Sequence, residues 1–325
     1  MSAAGAGADS PQPAAPQAPN PPTYRAAVVM NLVAVACWAA APVMVRFIAR
    51  SFPVNFQNGW RYLVSLAVLW PAYLMSADRS RIRSDLAEVR RLAWKIALIA
   101  LVQYAFQTGY AYSLTLIYPG VMTLVQQSSA LFGVLLAMVF FPDERRLVRH
   151  RAFLGGAALA VAGALLVALG GGAWGGAEFN AGVLSALGSA LAWALLAALI
   201  KKWLPHVPPL LAISSVFTIL VPLFTAVYAA ANRGFPLPSA PTVDWIVMLA
   251  SGLIRVGIGQ SLFYRAVPVI GVATSTSIGL LIPLAATVIS WLAFGERLSA
   301  LQAAGGLLLI AGSWIVIRLR LRAQS

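Results

Sequence analysis

The sequence predicts an all-α polytopic membrane protein, with ten transmembrane helices arranged as two inverted five-helix repeats. Three observations predict it. Only 10% of the 325 residues are charged and 60% are hydrophobic, whereas a soluble domain carries about a quarter charged residues. The apolar residues fall in successive runs of about 20, the length that crosses a bilayer core of about 30 Å. Landmarks of the first half of the chain recur in the second half at a near-constant offset.

Residues 1–24 are rich in Ala, Pro and Gly with one charge, Asp9, and are expected to form a disordered cytoplasmic tail. No basic segment precedes the first apolar run, which therefore reads as a retained span and not a cleaved signal peptide. Spans are expected at 26–47, 55–75, 92–114, 118–141, 151–170, 180–200, 208–231, 243–265, 270–294 and 299–318. The uncharged stretch 96–142 is too long for one span and divides at Tyr118-Pro119-Gly120. Loops then alternate between the two sides. Seventeen of the 23 Lys and Arg residues fall on the side that holds both termini, four on the other (Arg46, Arg50, Arg233, Arg297), and two, Arg61 and Arg255, lie within spans. That bias places both termini in the cytoplasm. It also accounts for the net charge of +14 as an orientation signal, with no need of nucleic acid as a partner.

The repeat is read from landmarks that keep their order. Glu144-Arg145 and Glu296-Arg297 are 152 residues apart, as are Tyr112 and Tyr264. Trp38 matches Trp193 at an offset of 155, and Gly155, Gly156 and Gly163 match Gly305, Gly306 and Gly312. The first repeat is placed at 25–172, the second at 173–320, and a short cytoplasmic tail at 321–325. Five spans per copy is an odd number, so the second copy is inverted, an architecture typical of secondary transporters. Pro283 is expected to kink the ninth span, and the spaced glycines to let the fifth and tenth spans pack closely.

The 5+5 pattern, Trp38 and Trp193 in the first span of each half, Arg61 in the second span, and the endings at 143–145 and 295–297 resemble the EamA-type branch of the drug/metabolite transporter superfamily over residues 25–318. Two details depart from the pattern: Pro142-Asp143-Glu144 stands in place of the first Gly-Glu, and the first half has two extra residues before its paired glycines. The resemblance implies an inner-membrane carrier, often an exporter of amino acids or other small metabolites. It also implies a central cavity lined mainly by the first, third, fourth, sixth, eighth and ninth spans.

The polar residues within spans point to the cargo. All nine acidic residues and both histidines fall in tails, loops or span ends, so the usual proton relay and the usual cation-holding carboxylate are missing from mid-depth. Arg255 has ten uncharged residues before it and nine after. About 12 residues into its span it stands roughly 18 Å deep, near the midplane. A central arginine costs at least about 2.5 kcal/mol and keeps its proton. It therefore faces water, carbonyl or amide oxygens, or a bound anion, and its fork fits a carboxylate bidentately. A structural arginine bonded to carbonyls is the plainer reading.

The 152-residue offset maps Arg255 onto Gln103. With Gln107, Gln126, Gln260, Ser275, Trp38, Trp193, Tyr104 and Tyr112, these residues are the candidate substrate site. For the Gln and Ser groups interhelical bonding is the competing reading, and for the two tryptophans it is packing. Arg61 is expected to snorkel or to pack helices, and Glu144 and Glu296 to cap helices or pair locally with arginines. No catalytic constellation, metal site or cofactor motif is present in the sequence; the lone Cys37 has no ligand partners. The expected function is a secondary transporter for a small anionic or zwitterionic molecule, an amino acid or carboxylated metabolite. The alternatives are a multidrug or organic-cation efflux carrier and, from another class, a non-transporting membrane scaffold.

Overall fold

The computed structural model describes residues 22–140, 151–170 and 177–322, which are helical with short connections and hold no strand. Helix α1 (Tyr24–Ile48) opens on Thr23, whose hydroxyl accepts the Ala26 N–H at 3.3 Å, a side-chain cap for an otherwise orphaned donor. Then come α2 (Val54–Ser76), the polar α3 (Ile82–Arg91) with no buried residue, and α4 (Ala93–Leu116). Pro119 is the first residue of α5 (Pro119–Gln126), a position where its missing N–H costs nothing. Helices α6 (Ser129–Phe140), α7 (Arg151–Leu169), α8 (Ala177–Trp203) and α9 (Pro209–Ala231) follow. Helix α10 (Thr242–Gly252) runs into a π-helical segment, Leu253–Gly259, and on into α11 (Gln260–Gly279). The last two are α12 (Leu281–Phe294) and α13 (Ala300–Arg322).

Among the described residues, five helical stretches are long and apolar enough to cross a membrane: Tyr24–Ile48, Pro119–Phe140, Ala177–Trp203, Pro209–Ala231 and Thr242–Gly271. Arg151–Val167, Ile282–Phe294 and Ala300–Ile315 are shorter apolar helices. Helices α2 and α4, expected as the second and third spans, have the length but dilute their apolar character with Gln57, Asn58, Arg61, Gln103 and Gln107. All five of these polar residues are buried, so the composition that weakens the membrane signal belongs to the interior of the bundle. Large apolar side chains such as Met75, Leu184 and Leu292 face outward.

The core has two main blocks. One joins α2, α4, α8 and α9 through residues such as Tyr62, Leu69, Phe217 and Phe224. The other joins α4, α5 and α8 through Phe106, Tyr110, Met122 and Ala186. Helix α1 packs against the π-helical segment, α11 and α12.

Two helices of the bundle are broken midway. Between α5 and α6 the chain tightens, the N–H groups of Gln127 and Ser128 bonding the carbonyls of Leu124 and Val125 three residues back. Between α11 and α12 the break falls at Leu280, 152 residues after Ser128, the repeat offset. Pro283, with no N–H to bond the carbonyl of Gly279 four residues back, gives the expected kink as this break. It is the third residue of α12, within the first turn, where N–H groups have no intrahelical partner. The chain also kinks earlier, at Gly271, whose φ of 79° interrupts α11 in a conformation open to glycine.

Helices α7 and α13 meet backbone to backbone. A Cβ on Gly163 would stand 2.5 Å from the Gly305 carbonyl oxygen and the Leu309 nitrogen. One on Gly312 would stand 2.5 Å from the Ala160 nitrogen and the Gly156 carbonyl oxygen.

At the end of the bundle where α10 begins and α12 ends, two acidic residues tie the halves together. Asp244, fully buried, accepts Arg50 Nη2 at 2.6 Å and Nε at 3.2 Å, and also the Ser51 hydroxyl. The bond to Asp244 raises the pKa of Arg50 and holds it charged. Glu296 reaches no arginine within ion-pair distance among the described residues. Its two oxygens accept the first-turn N–H groups of α5, Gly120 at 2.9 Å and Val121 at 3.1 Å, where the helix dipole favours an anion. Glu144 lies outside the described residues. Glu296→Gln removes the charge from this cap and is expected to cost about 1–2 kcal/mol. A thermal melt in detergent checks it; an unchanged midpoint would count against the cap.

Candidate functional site

A cavity of about 600 Å³ lies inside the bundle. Helix α4 gives it one face, Gln103, Phe106, Gln107 and Tyr110, positions that recur every three or four residues on one side of a helix. Opposite stand Trp38 of α1, Arg255 of the π-helical segment, and Gln260, Phe263 and Tyr264 of α11. The broken pair α5 and α6 adds Thr123, Gln126 and Ser129; α8 adds Trp193 and Lys201; the second part of α11 adds Ser275.

Arg255 is half-buried and reaches into this space. Its guanidinium carbon stands 4.5 Å from the centroid of the Tyr110 ring, a cation–π geometry. Its Nη1 donates to Gln107 Oε1 over a long 3.4 Å. The Trp38 indole N–H fixes the arginine's backbone by donating to its carbonyl at 3.2 Å, and the Trp38 ring packs on Phe263 at 4.9 Å. Among the described residues Arg255 has no carboxylate within ion-pair distance; the ion pairs there are Arg50–Asp244 and Arg91–Glu88. No described acidic residue lines the cavity. One weak neutral acceptor and one ring face leave most of a five-donor fork unused.

The glutamines are held loosely. Gln103, 3% exposed, donates to the Tyr62 hydroxyl at 3.2 Å, and its Oε1 has no partner. Gln126 Oε1 accepts the Ser189 hydroxyl at 2.9 Å, and Gln260 donates to the Tyr264 hydroxyl at 3.2 Å. Ser275 is buried with its hydroxyl unpartnered, while its carbonyl accepts from Asn31 at 3.4 Å. Trp193 packs on Phe106 at 5.1 Å. Buried polar atoms without partners are costly, and their presence in a cavity wall marks where a ligand's polar groups can bond.

Eight of the ten residues singled out from sequence line this cavity: Arg255, Gln103, Gln107, Gln126, Gln260, Trp38, Trp193 and Ser275. Tyr104 and Tyr112 do not. Tyr104 turns toward α2 and α9, its hydroxyl on Asn55 at 3.0 Å and its ring 4.7 Å from Phe224. Tyr112 is 48% exposed on the outside of the bundle. At about 100° per residue it stands some 200° round the helix from Tyr110, which takes the cavity position. Tyr110 shares the helical spacing of Gln103 and Gln107, and that spacing is the signal that finds it. Tyr62 and Lys201 carry no such signal, since their cavity contact depends on how α2 and α8 pack. Thr276 and Ser277 are among the residues whose side chains are not described. Arg61 does not snorkel: it is 1% exposed, inside the bundle beside this wall.

The model of the EamA-like transporter family matches residues 25–169 and again 180–318. An uncharacterized transporter of Haemophilus influenzae (strain ATCC 51907 / DSM 11121 / KW20 / Rd) is 22% identical over 285 residues, 85% of this chain and 92% of that protein. A crystal structure 20% identical superimposes with a TM-score of 0.62 over 93% of this chain and 99% of its own, a likeness of fold.

Proposed function

The chain belongs to the EamA-like transporter family, and from that premise we propose that this membrane transporter carries an amino acid or another small carboxylated metabolite across the inner membrane by alternating access. In this reading ten spans form two inverted halves with both termini cytoplasmic, and the halves rock about the cavity between them. The observation that carries it is Arg255, a cation facing the cavity with no described carboxylate to neutralise it. The cargo's carboxylate completes its fork; Gln103, Gln107, Gln126, Gln260 and Ser275 bond the remaining polar groups, and Trp38 and Trp193 wall the apolar part. With no described acid or histidine in the lining, export or exchange fits better than coupling through a protonated side chain.

Efflux of organic cations is the second reading. Its support is the aromatic wall of Trp38, Phe106, Trp193, Phe263 and Tyr264, since ring faces attract cations. Arg255 already occupies the Tyr110 face and repels a second positive charge, which weighs against it. The test is uptake into proteoliposomes of amino acids, their amides and organic cations, with and without a pH gradient. Movement of the carboxylated members and rejection of the amides is expected. Movement of cations alone would sink the carboxylate reading.

A further inference from the structure

Arg61 is a second buried cation, and it does not touch the cavity. Its partners are neutral: Nε donates to the Ser251 hydroxyl at 2.9 Å and Nη1 to Asn58 Oδ1 at 3.0 Å. The charge of Arg255 opposes it electrostatically. A leucine or methionine would fill the same space without that cost, so packing alone does not explain a guanidinium here.

What the guanidinium adds is a rigid fork, and its two arms lead to the two sides of Arg255. One arm holds Ser251, two residues before the π-helical segment starts. The other holds Asn58, whose amide donates to the Gln107 carbonyl at 3.3 Å, and the Gln107 side chain accepts from Arg255. The Ser65 hydroxyl, one turn on, lies 2.7 Å from the Arg61 carbonyl and 3.1 Å from that of Gly252. Gly252 has no room for a side chain, because a Cβ would collide with the Arg61 backbone. Helix α2 is thus clamped to the chain where α-helical hydrogen bonding gives way to π-helical.

The hydrogen-bonded loop of such segments is one residue longer than that of an α-helix, and they recur at functional sites. Relaxation to α-helical bonding would turn one side of the segment relative to the other by about 100°. We propose that Arg61 is a positioning residue which, with Ser65, holds Leu253–Gly259 in its π-helical register and so aims Arg255 into the cavity. Its functional meaning rests on Arg255 being the cargo anchor, but its geometry can be tested without a cargo.

Cys37 is the chain's only cysteine. In the full chain with Cys37→Ala and Arg255→Cys, the rate of labelling by a charged methanethiosulfonate reports whether position 255 faces the aqueous cavity. Adding Arg61→Gln, or the milder Ser65→Ala, is expected to slow that rate about tenfold, the scale set by a lost hydrogen bond. A control cysteine at Ser129, a cavity position outside the clamp, should label at an unchanged rate in the same backgrounds. Unchanged labelling at 255 would overturn the proposal. So would an equal fall at both positions, which would mean general collapse. If Arg61→Gln does not fold, Ser65→Ala decides alone. Since no substrate enters the assay, its failure leaves the carboxylate reading standing, and failure of the substrate panel leaves this geometry standing.

Discussion

Arg255→Ala is expected to weaken binding of a carboxylated cargo by about 30-fold or more. Losing one partner of a buried, hydrogen-bonded charge pair costs about 2–5 kcal/mol, and each 1.4 kcal/mol is about tenfold. The loss should appear as affinity, because the free fork has only Gln107 and the Tyr110 ring to fall back on. Arg255→Lys keeps the charge but replaces a planar fork with a point donor, and about a tenfold loss is expected. The alanine variant also uncovers the Tyr110 face inside an aromatic-walled cavity, so it should bind organic cations that the parent rejects. Equilibrium binding and uptake in proteoliposomes measure all three effects. Wild-type affinity for the carboxylated cargo in both variants would remove Arg255 from the site.

The second large effect is on stability. Gly163→Ala and Gly312→Ala place a methyl group 2.5 Å from backbone atoms of the facing helix. A clash with a side chain is relieved by a rotamer change; here the helices themselves must separate. Overpacking costs about 1–3 kcal/mol where side chains can adjust, so each variant should lose about 3 kcal/mol or more. Gly155→Ala in the same helix meets nothing within 4 Å and should be neutral or stabilising by up to about 1 kcal/mol. Thermal melts of the three purified variants give the comparison. Neither α7 nor α13 contributes to the cavity wall, so the Gly163 and Gly312 variants that remain folded should bind cargo normally. Equal melting points for Gly155→Ala and Gly163→Ala would refute the contact.

Legibility followed local chemistry. The start of α5 at Pro119 could be read because proline has one favourable place in a helix. Close packing of α7 and α13 is legible because spaced glycines have few other uses in a membrane helix, but that each is the other's partner is seen only in the structure. Arg255 stood out because an arginine far from either end of an apolar run must be compensated somewhere. Tyr112 was misplaced because the repeat offset pairs it with Tyr264, and an offset along the chain does not fix the face of a helix. Tyr104 failed for a related reason, its face being decided by Asn55 and Phe224 on other helices. The kink expected at Pro283 falls at Leu280, three residues before it, because a proline cannot bond the carbonyl four residues back. The π-helical register at Leu253–Gly259 has no compositional signature; it follows from Ser65, Gly252 and Arg61 meeting across α2, a contact almost 190 residues apart in sequence.

Arg61 and Arg255 also bear on how this transporter responds to a membrane potential. Carrying one elementary charge through 100 mV is work of about 2.3 kcal/mol. No described carboxylate lies within ion-pair distance of either arginine, so wherever a transport cycle shifts the two through the field, it shifts two positive charges. Under the proposed reading, a cargo of net charge −1 offsets one of the two and halves that work, whereas a zwitterionic amino acid, with no net charge, leaves it unchanged. On that reading a rising potential should favour exchange over one-way release for an anionic cargo and not for a zwitterionic one, and uptake of the two at clamped potentials measures the difference.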